Sequence, residues 1–385
     1  MRRTLAIAAV FALGACSMLE APPPQGICAS GAFYIDIAFP AAGRHDCVIA
    51  PDASVVVSVD HEPTLTEGIN PSPWFAFRIN SQTARSLTVT LDYTDYKHRY
   101  RPYISRDGAS WTALPDTAVV LNERETRATI NLDIQPGVTW VAGQPLSPSR
   151  NNIDWTRRAL AGAGFTEVEY GRSLEGRPLV GFVGGGGIDA IVALTRQHPP
   201  ETTGQEAYRG FVERLITRND SKAVAFRARH RIILAPMPNP DGVDDGHWRL
   251  NAGGQDLNRD WGKFTQPETK ALSSWIVEQV GGRRVVSMMD FHSTDKTVIY
   301  APPLDSASPT IDLLPALKTT FDSVLSSPPT WSYSHNSEGG TSKGWALEAL
   351  KAPGITVELW DHEPLANARA LGAAAADTLI EYFSK

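Results

Sequence analysis

From about residue 150 onward, apolar runs of strand length alternate with amphipathic stretches of helical spacing. That rhythm belongs to a largely parallel sheet covered by helices on both faces. Residues 188–194 form a strand candidate, followed from about Glu201 by a helix whose Ala207, Phe211, Val212 and Leu215 keep helical spacing. A second run, 232–235, ends in Pro238-Asn239-Pro240-Asp241-Gly242. The helix that opens with Pro267 then carries Leu272, Trp275, Ile276 and Val280 on one face. Residues 285–289 run straight into Asp290-Phe291-His292, and 355–357 into Glu358, before an Ala-rich closing helix from about Leu365. Polar residues thus collect at the carboxyl ends of the strands, where open α/β sheets place their ligand sites.

The front of the chain follows a different rule. From about residue 30 to 144, short runs alternate apolar and polar residues, as in 54–59, 87–93 and 129–134, with turn clusters such as Arg106-Asp107-Gly108 between them. The expected fold there is an antiparallel β-sandwich, without a catalytic cluster. At roughly 100 to 200 residues per domain, 385 residues accommodate both units, with the boundary near 145. The expected architecture is therefore an all-β sandwich over 30–144 followed by an α/β domain over 150–385, its sheet mixed and mostly parallel. With 36 Lys+Arg against 42 Asp+Glu, the net charge of −6 offers no field to draw the chain onto a phosphate backbone, so nucleic acid is excluded as a partner. The run Gly184-Gly185-Gly186-Gly187 precedes a strand and lacks the Lys-Ser/Thr of a phosphate-binding loop, and is read as a turn.

Residues 1–15 have the anatomy of an export signal: Arg2-Arg3, an apolar stretch from Leu5 to Leu13, then small residues. Leu13-Gly14-Ala15-Cys16 resembles the lipobox of bacterial lipoproteins, which makes Cys16 the acylated anchor and the chain's only attachment to a membrane. An ordinary signal cut near Ala15 is the alternative. Either way the expected location is the periplasm or cell envelope. The Pro-rich stretch within 16–29 is expected to be a tether. Cys28 and Cys47 are then the remaining cysteines in a compartment that permits a disulfide, and the sequence leaves open whether they pair.

His198-Pro199-Pro200-Glu201 supplies an imidazole and a carboxylate, both good zinc ligands, and catalytic zinc commonly uses two His and one Glu with water as the fourth partner. The spacing alone is weak, because His335-Asn336-Ser337-Glu338 repeats it. The first copy gains from following a strand and from His292, which follows another and is a candidate third ligand, a hydrogen-bonded core histidine being the alternative there. Asp290, two residues from His292 on a strand, faces the same side and is placed to orient the imidazole. Arg249, Asn258 and Arg259 fall around a Gly-containing loop. A guanidinium fork with an amide donor suits recognition of a carboxylate, and zinc beside such a clamp points to an exopeptidase.

Six segments resemble, in order, the motif series of zinc metallocarboxypeptidases. They are Tyr170-Gly171-Arg172-Ser173-Leu174-Glu175-Gly176-Arg177-Pro178-Leu179, Arg196-Gln197-His198-Pro199-Pro200-Glu201-Thr202, Asn239-Pro240-Asp241-Gly242, Asp256-Leu257-Asn258-Arg259-Asp260-Trp261, Asp290-Phe291-His292-Ser293 and Val357-Glu358-Leu359. The resemblance covers about residues 165 to 362. The Arg-Gln-His-Pro form is most similar to the cytosolic carboxypeptidase branch, whose members carry a β-sandwich ahead of the catalytic domain. Segments around Trp74 and Arg101 are similar to that sandwich.

The resemblance implies one zinc ion per chain held by His198, Glu201 and His292. It also implies Arg249 at the scissile carbonyl, Asn258 and Arg259 on the substrate's terminal carboxylate, and Glu358 as general base. The implied partner is a peptide with a free C-terminal carboxylate. Lys343 falls near the residues that line the family's specificity pocket: a cation there favours an acidic terminal side chain, and a solvated lysine is the bland alternative. His335 and Tyr333, near the place of the family's mobile tyrosine, receive no role. Two competing functions are an amidohydrolase acting on peptidoglycan peptides or N-acyl amino acids, and a non-catalytic lipoprotein that binds peptides or wall fragments.

Overall fold

The computed structural model describes residues 27–60, 62, 74–93, 96–325, 327–334 and 339–384. The export signal, Cys16, most of the tether and the segment His335 to Glu338 lie outside the described residues. Where the tether was expected to run to residue 29, the chain is already paired. Cys28–Ser30 forms a strand antiparallel to Phe33–Asp36, because apolar Ile27 and Cys28 pack against the sandwich core.

The front unit is two sheets, one of six strands and one of five, face to face. Alternation explains them: in Arg127–Ile134 the buried residues are Ala128, Ile130, Leu132 and Ile134, while the intervening side chains face outward. The pairing is antiparallel except where Val55–Val59 runs parallel to Arg85–Asp92. Between these two strands the chain crosses to the other sheet as Ala76–Ser81, and so returns in the same direction. Cys28 and Cys47 are bridged, with Cα atoms 5.6 Å apart, which ties Cys28–Ser30 of one sheet to His45–Ile49 of the other. Closing that loop restricts the unfolded chain, so replacing both cysteines with Ser is expected to cost about 3 kcal/mol in a urea denaturation series. An unchanged midpoint would mean the bridge contributes nothing.

The last sandwich strand, Gly137–Ala142, is followed by the helix Ser149–Ala159, which opens the second unit. Its eight-stranded mixed sheet has four parallel strands at the centre, in the order His230–Ala235, Asp189–Thr195, Arg284–Thr294, Gly354–Trp360. Ile191 and Ala193 bury into the core shared with the helices Thr202–Thr217, Leu313–Val324 and Leu365–Tyr382. Ala190, Val192 and Leu194 bury on the other face, with Trp275 and Trp345. The chain leaves Asp189–Thr195 for a neighbour on one side, then returns to Arg284–Thr294 on the other. The strand order therefore reverses at the carboxyl end of Asp189–Thr195. Among the described residues no helix is long and apolar enough to cross a membrane.

Candidate metal centre and its cleft

His198 and Glu201 follow Asp189–Thr195, at the point where the strand order reverses. Arg196 sits in the left-handed region (φ 61°), and its buried guanidinium donates to the carbonyls of Pro199 and Ser147 and to Gln205, which fixes the turn that presents His198. Glu201 occupies the position before the helix Thr202–Thr217, yet its side chain caps no backbone N–H. Both its oxygens turn to imidazoles instead: Oε1 lies 2.8 Å from His198 Nδ1 and Oε2 2.6 Å from His292 Nδ1. Gly204 makes this approach feasible, because a Cβ there would stand 2.5 Å from the His292 carbonyl group.

On the sheet, Met289, Phe291, Val357 and Leu359 bury into one core, so their alternates Asp290, His292 and Glu358 share the opposite face. His292 and Glu358 are register partners on adjacent parallel strands. The Asp290 carboxylate lies 2.9 Å from His292 Nε2, where the sequence placed it, and accepts hydrogen bonds from Gln197 and Ser342.

The three buried groups bring their ligand atoms within 4.8 Å of one another. The two Nδ1 atoms are 3.2 Å apart, close to the roughly 3.3 to 3.6 Å between ligands held tetrahedrally at ~2.0 to 2.2 Å from zinc. Each Nε2 faces a carboxylate, Asp256 Oδ1 at 3.0 Å for His198 and Asp290 for His292. Both Nδ1 atoms and the Glu201 carboxylate thus converge on one centre with a carboxylate behind each ring, a donor set that fits zinc. Burial alone would raise the Glu201 carboxyl, but His198 and His292 bring it well below the usual carboxylate range, so it is anionic. Burial likewise opposes charge on Asp256, and His198 with Arg249 holds it low.

His198, Glu201, Arg249 and Glu358 line one small cavity, joined by Arg99, Trp248, Ser293 and Thr294. Asn258 and Arg259 stand beside it rather than in its wall, linked through Asp256. Asp256 Oδ1 accepts the Asn258 N–H at 2.8 Å, and Oδ2 accepts Arg249 Nε at 2.6 Å. Asn258 Oδ1 accepts the Ser342 N–H, which leaves the Nδ2 amide as its remaining side-chain donor group, and Arg259 Nη1 donates to the Asn258 carbonyl. Glu358 is partly buried, and its Oε2 is enclosed without a hydrogen-bond partner among the described residues. Burial, eased by His292, pushes its carboxyl up to about 7.

Three residues that shape the cleft have no role in the sequence pattern. Asp256 stood inside a quoted motif without a role, although one carboxylate there organises His198, Arg249 and Asn258. Glu62 and Arg99 come from the sandwich, where no catalytic cluster was expected. The Glu62 carboxylate accepts the backbone N–H groups of Trp248, Arg249 and Leu250. No local pattern marks either residue, since each makes its contacts across the boundary between units. Lys343 is 3% exposed, which corrects the solvated alternative: Nζ donates to the Ser334 carbonyl at 2.5 Å, and burial lowers its pKa to about 8. Tyr333 ends the strand Thr330–Tyr333 and is exposed.

A family model described as zinc carboxypeptidase matches residues 164–379, more than half the chain. The chain belongs to the zinc carboxypeptidase family. An uncharacterized protein of Zymomonas mobilis is 30% identical over 203 residues, covering 50% of this chain and 51% of its own length. Cytosolic carboxypeptidase 2 of Xenopus tropicalis is 32% identical over 106 residues, 27% of this chain and 11% of its own. The match thus spans about half of the first relative and about a tenth of the second. A metallo-carboxypeptidase of Burkholderia cenocepacia superposes with a TM-score of 0.77 at 19% identity, covering 91% of this chain and 99% of that one. The metallo-carboxypeptidase of Pseudomonas aeruginosa in complex with (2-guanidinoethylmercapto)succinic acid gives 0.74 at 18%, covering 91% and 98%. Both coverages extend across the sandwich, so this zinc carboxypeptidase shares a two-unit fold with them.

Proposed function

We propose that the protein is a zinc-dependent carboxypeptidase that removes single residues from peptides with a free C-terminal carboxylate in the cell envelope. The observation that carries the reading is the buried His198, Glu201, His292 set, each imidazole backed by a carboxylate, with Glu358 in register beside His292. Bound there, zinc would supply Lewis-acid chemistry, polarising the scissile carbonyl and lowering the pKa of water from about 15.7 towards ~7. Asn258 Nδ2 and the Arg259 guanidinium bind the terminal carboxylate and set which bond lies in the cleft. Arg249 donates to the carbonyl oxygen as negative charge gathers on it. Glu358 accepts the proton of the attacking water and returns it to the leaving amine nitrogen.

Lys343 supports a preference for acidic terminal residues. It follows Ser342, whose N–H holds Asn258, and its buried ammonium donates to the Ser334 carbonyl, a neutral acceptor that leaves its charge uncompensated. The test is release of free amino acids from defined peptides by the mature chain, with and without a chelator, repeated with Lys343→Met. Single C-terminal residues should appear only with metal. Terminal Glu should be favoured over Leu about tenfold or more, a ratio the variant abolishes. Release of internal fragments, or of nothing, would remove the carboxypeptidase reading, and an unchanged ratio in the variant would remove the acidic preference alone.

A further inference from the structure

The β-sandwich reaches the reaction site through Arg99. Its guanidinium directs Nε and Nη2 to Asp361 Oδ2, at 2.9 and 2.8 Å, and lies 5.1 Å from the Tyr100 ring centroid. Asp361 follows the Glu358 strand and is itself fixed. Its N–H donates to the Thr294 carbonyl, and its carbonyl accepts Thr203 Oγ1 and Gln144 Nε2. The Arg99 fork is thus oriented from both units, while its side chain keeps 20% exposure and forms part of the cavity wall with His198, Glu201 and Glu358. Asn258 and Arg259 take no part in that wall. They connect to it through Asp256 and Arg249, whereas Arg99 is held by Asp361.

A substrate whose terminal carboxylate is held by Asn258 and Arg259, with its scissile carbonyl over the metal ligands, must continue past them on the other side. We propose that Arg99 is a substrate-binding residue lent by the sandwich, donating to main-chain carbonyl oxygens on the amino side of the scissile bond. The inference rests on the carboxypeptidase reading for the direction of the chain. Five N–H donors in a planar fork suit successive carbonyl acceptors, and such contacts are made only by substrates long enough to reach them.

The experiment uses the zinc-loaded chain and a ladder of N-acetylated peptides with a common C-terminal residue, from two residues to four. The wild type is compared with Arg99→Met and with Arg99→Lys, which keeps a cation beside buried Asp361. Thermal melts check that each variant is folded. The loss in kcat/KM should grow with length, reaching about tenfold or more for the tetrapeptide relative to the dipeptide, and should lie mainly in KM. Calorimetric titration of the tetrapeptide into Glu358→Gln protein should show a matching loss of affinity when Arg99 is also replaced. A length-independent loss confined to kcat, or unchanged tetrapeptide affinity, would overturn the assignment. If the wild type releases nothing from any peptide, the carboxypeptidase reading falls separately, and the titration still decides whether Arg99 binds the chain.

Discussion

Glu358→Gln is expected to lower kcat by about 10² to 10⁴-fold while the protein still binds one zinc ion per chain and KM changes little. The amide has the shape of the carboxylate, so the packing beside His292 is kept and only the capacity to take and return a proton is lost. Burial pushes the carboxyl up to about 7, which suits a group that must accept a proton from water and surrender it to an amine near neutrality. Steady-state kinetics with metal analysis on the same preparation check this. A variant that retains zinc and full turnover would take the proton-transfer role away from Glu358.

Arg249→Ala carries the second large effect, a loss in kcat of about 10² to 10³-fold, the cost of removing one preorganised donor from a developing oxyanion. The residue is held at two levels. Its Nε donates to Asp256, which also meets His198, and its backbone N–H is one of three accepted by Glu62. Burial would lower the Arg249 pKa, but Asp256 beside it raises it above the ordinary value, so the guanidinium stays charged. Arg249→Lys keeps the charge without the fork and should recover only part of the loss. A rise in KM with kcat intact would instead place Arg249 in ground-state binding. Asp256 keeps His198 and the Asn258 N–H as partners in either variant, so both are expected to fold, with Arg249→Ala melting lower than Arg249→Lys because buried Asp256 loses one of the groups that hold its charge.

The chemistry of the site was legible because a strand leaves a simple trace. Period-two alternation puts Asp290 and His292 on one face, and short apolar runs ending in polar residues mark where a parallel sheet opens its crevice. The short helix Ser342–Leu350 left no comparable trace: its first five residues are all buried, so no stripe distinguishes an inner face.

By itself the sequence determined the two fold classes and the strand ends that carry the chemistry, because each depends on residue types at short, regular spacing, while the zinc ligand set came from the ordered resemblance of six motifs to the zinc carboxypeptidases. Tertiary structure alone decided the rest. It ran the first strand from Cys28, bridged Cys28 to Cys47, buried Lys343, made Asp256 the common partner of His198, Arg249 and Asn258, and brought Glu62 and Arg99 from the sandwich to the cleft. Those arrangements join residues distant in the chain, and their energetics depend on burial and on which groups meet, neither of which a local pattern records.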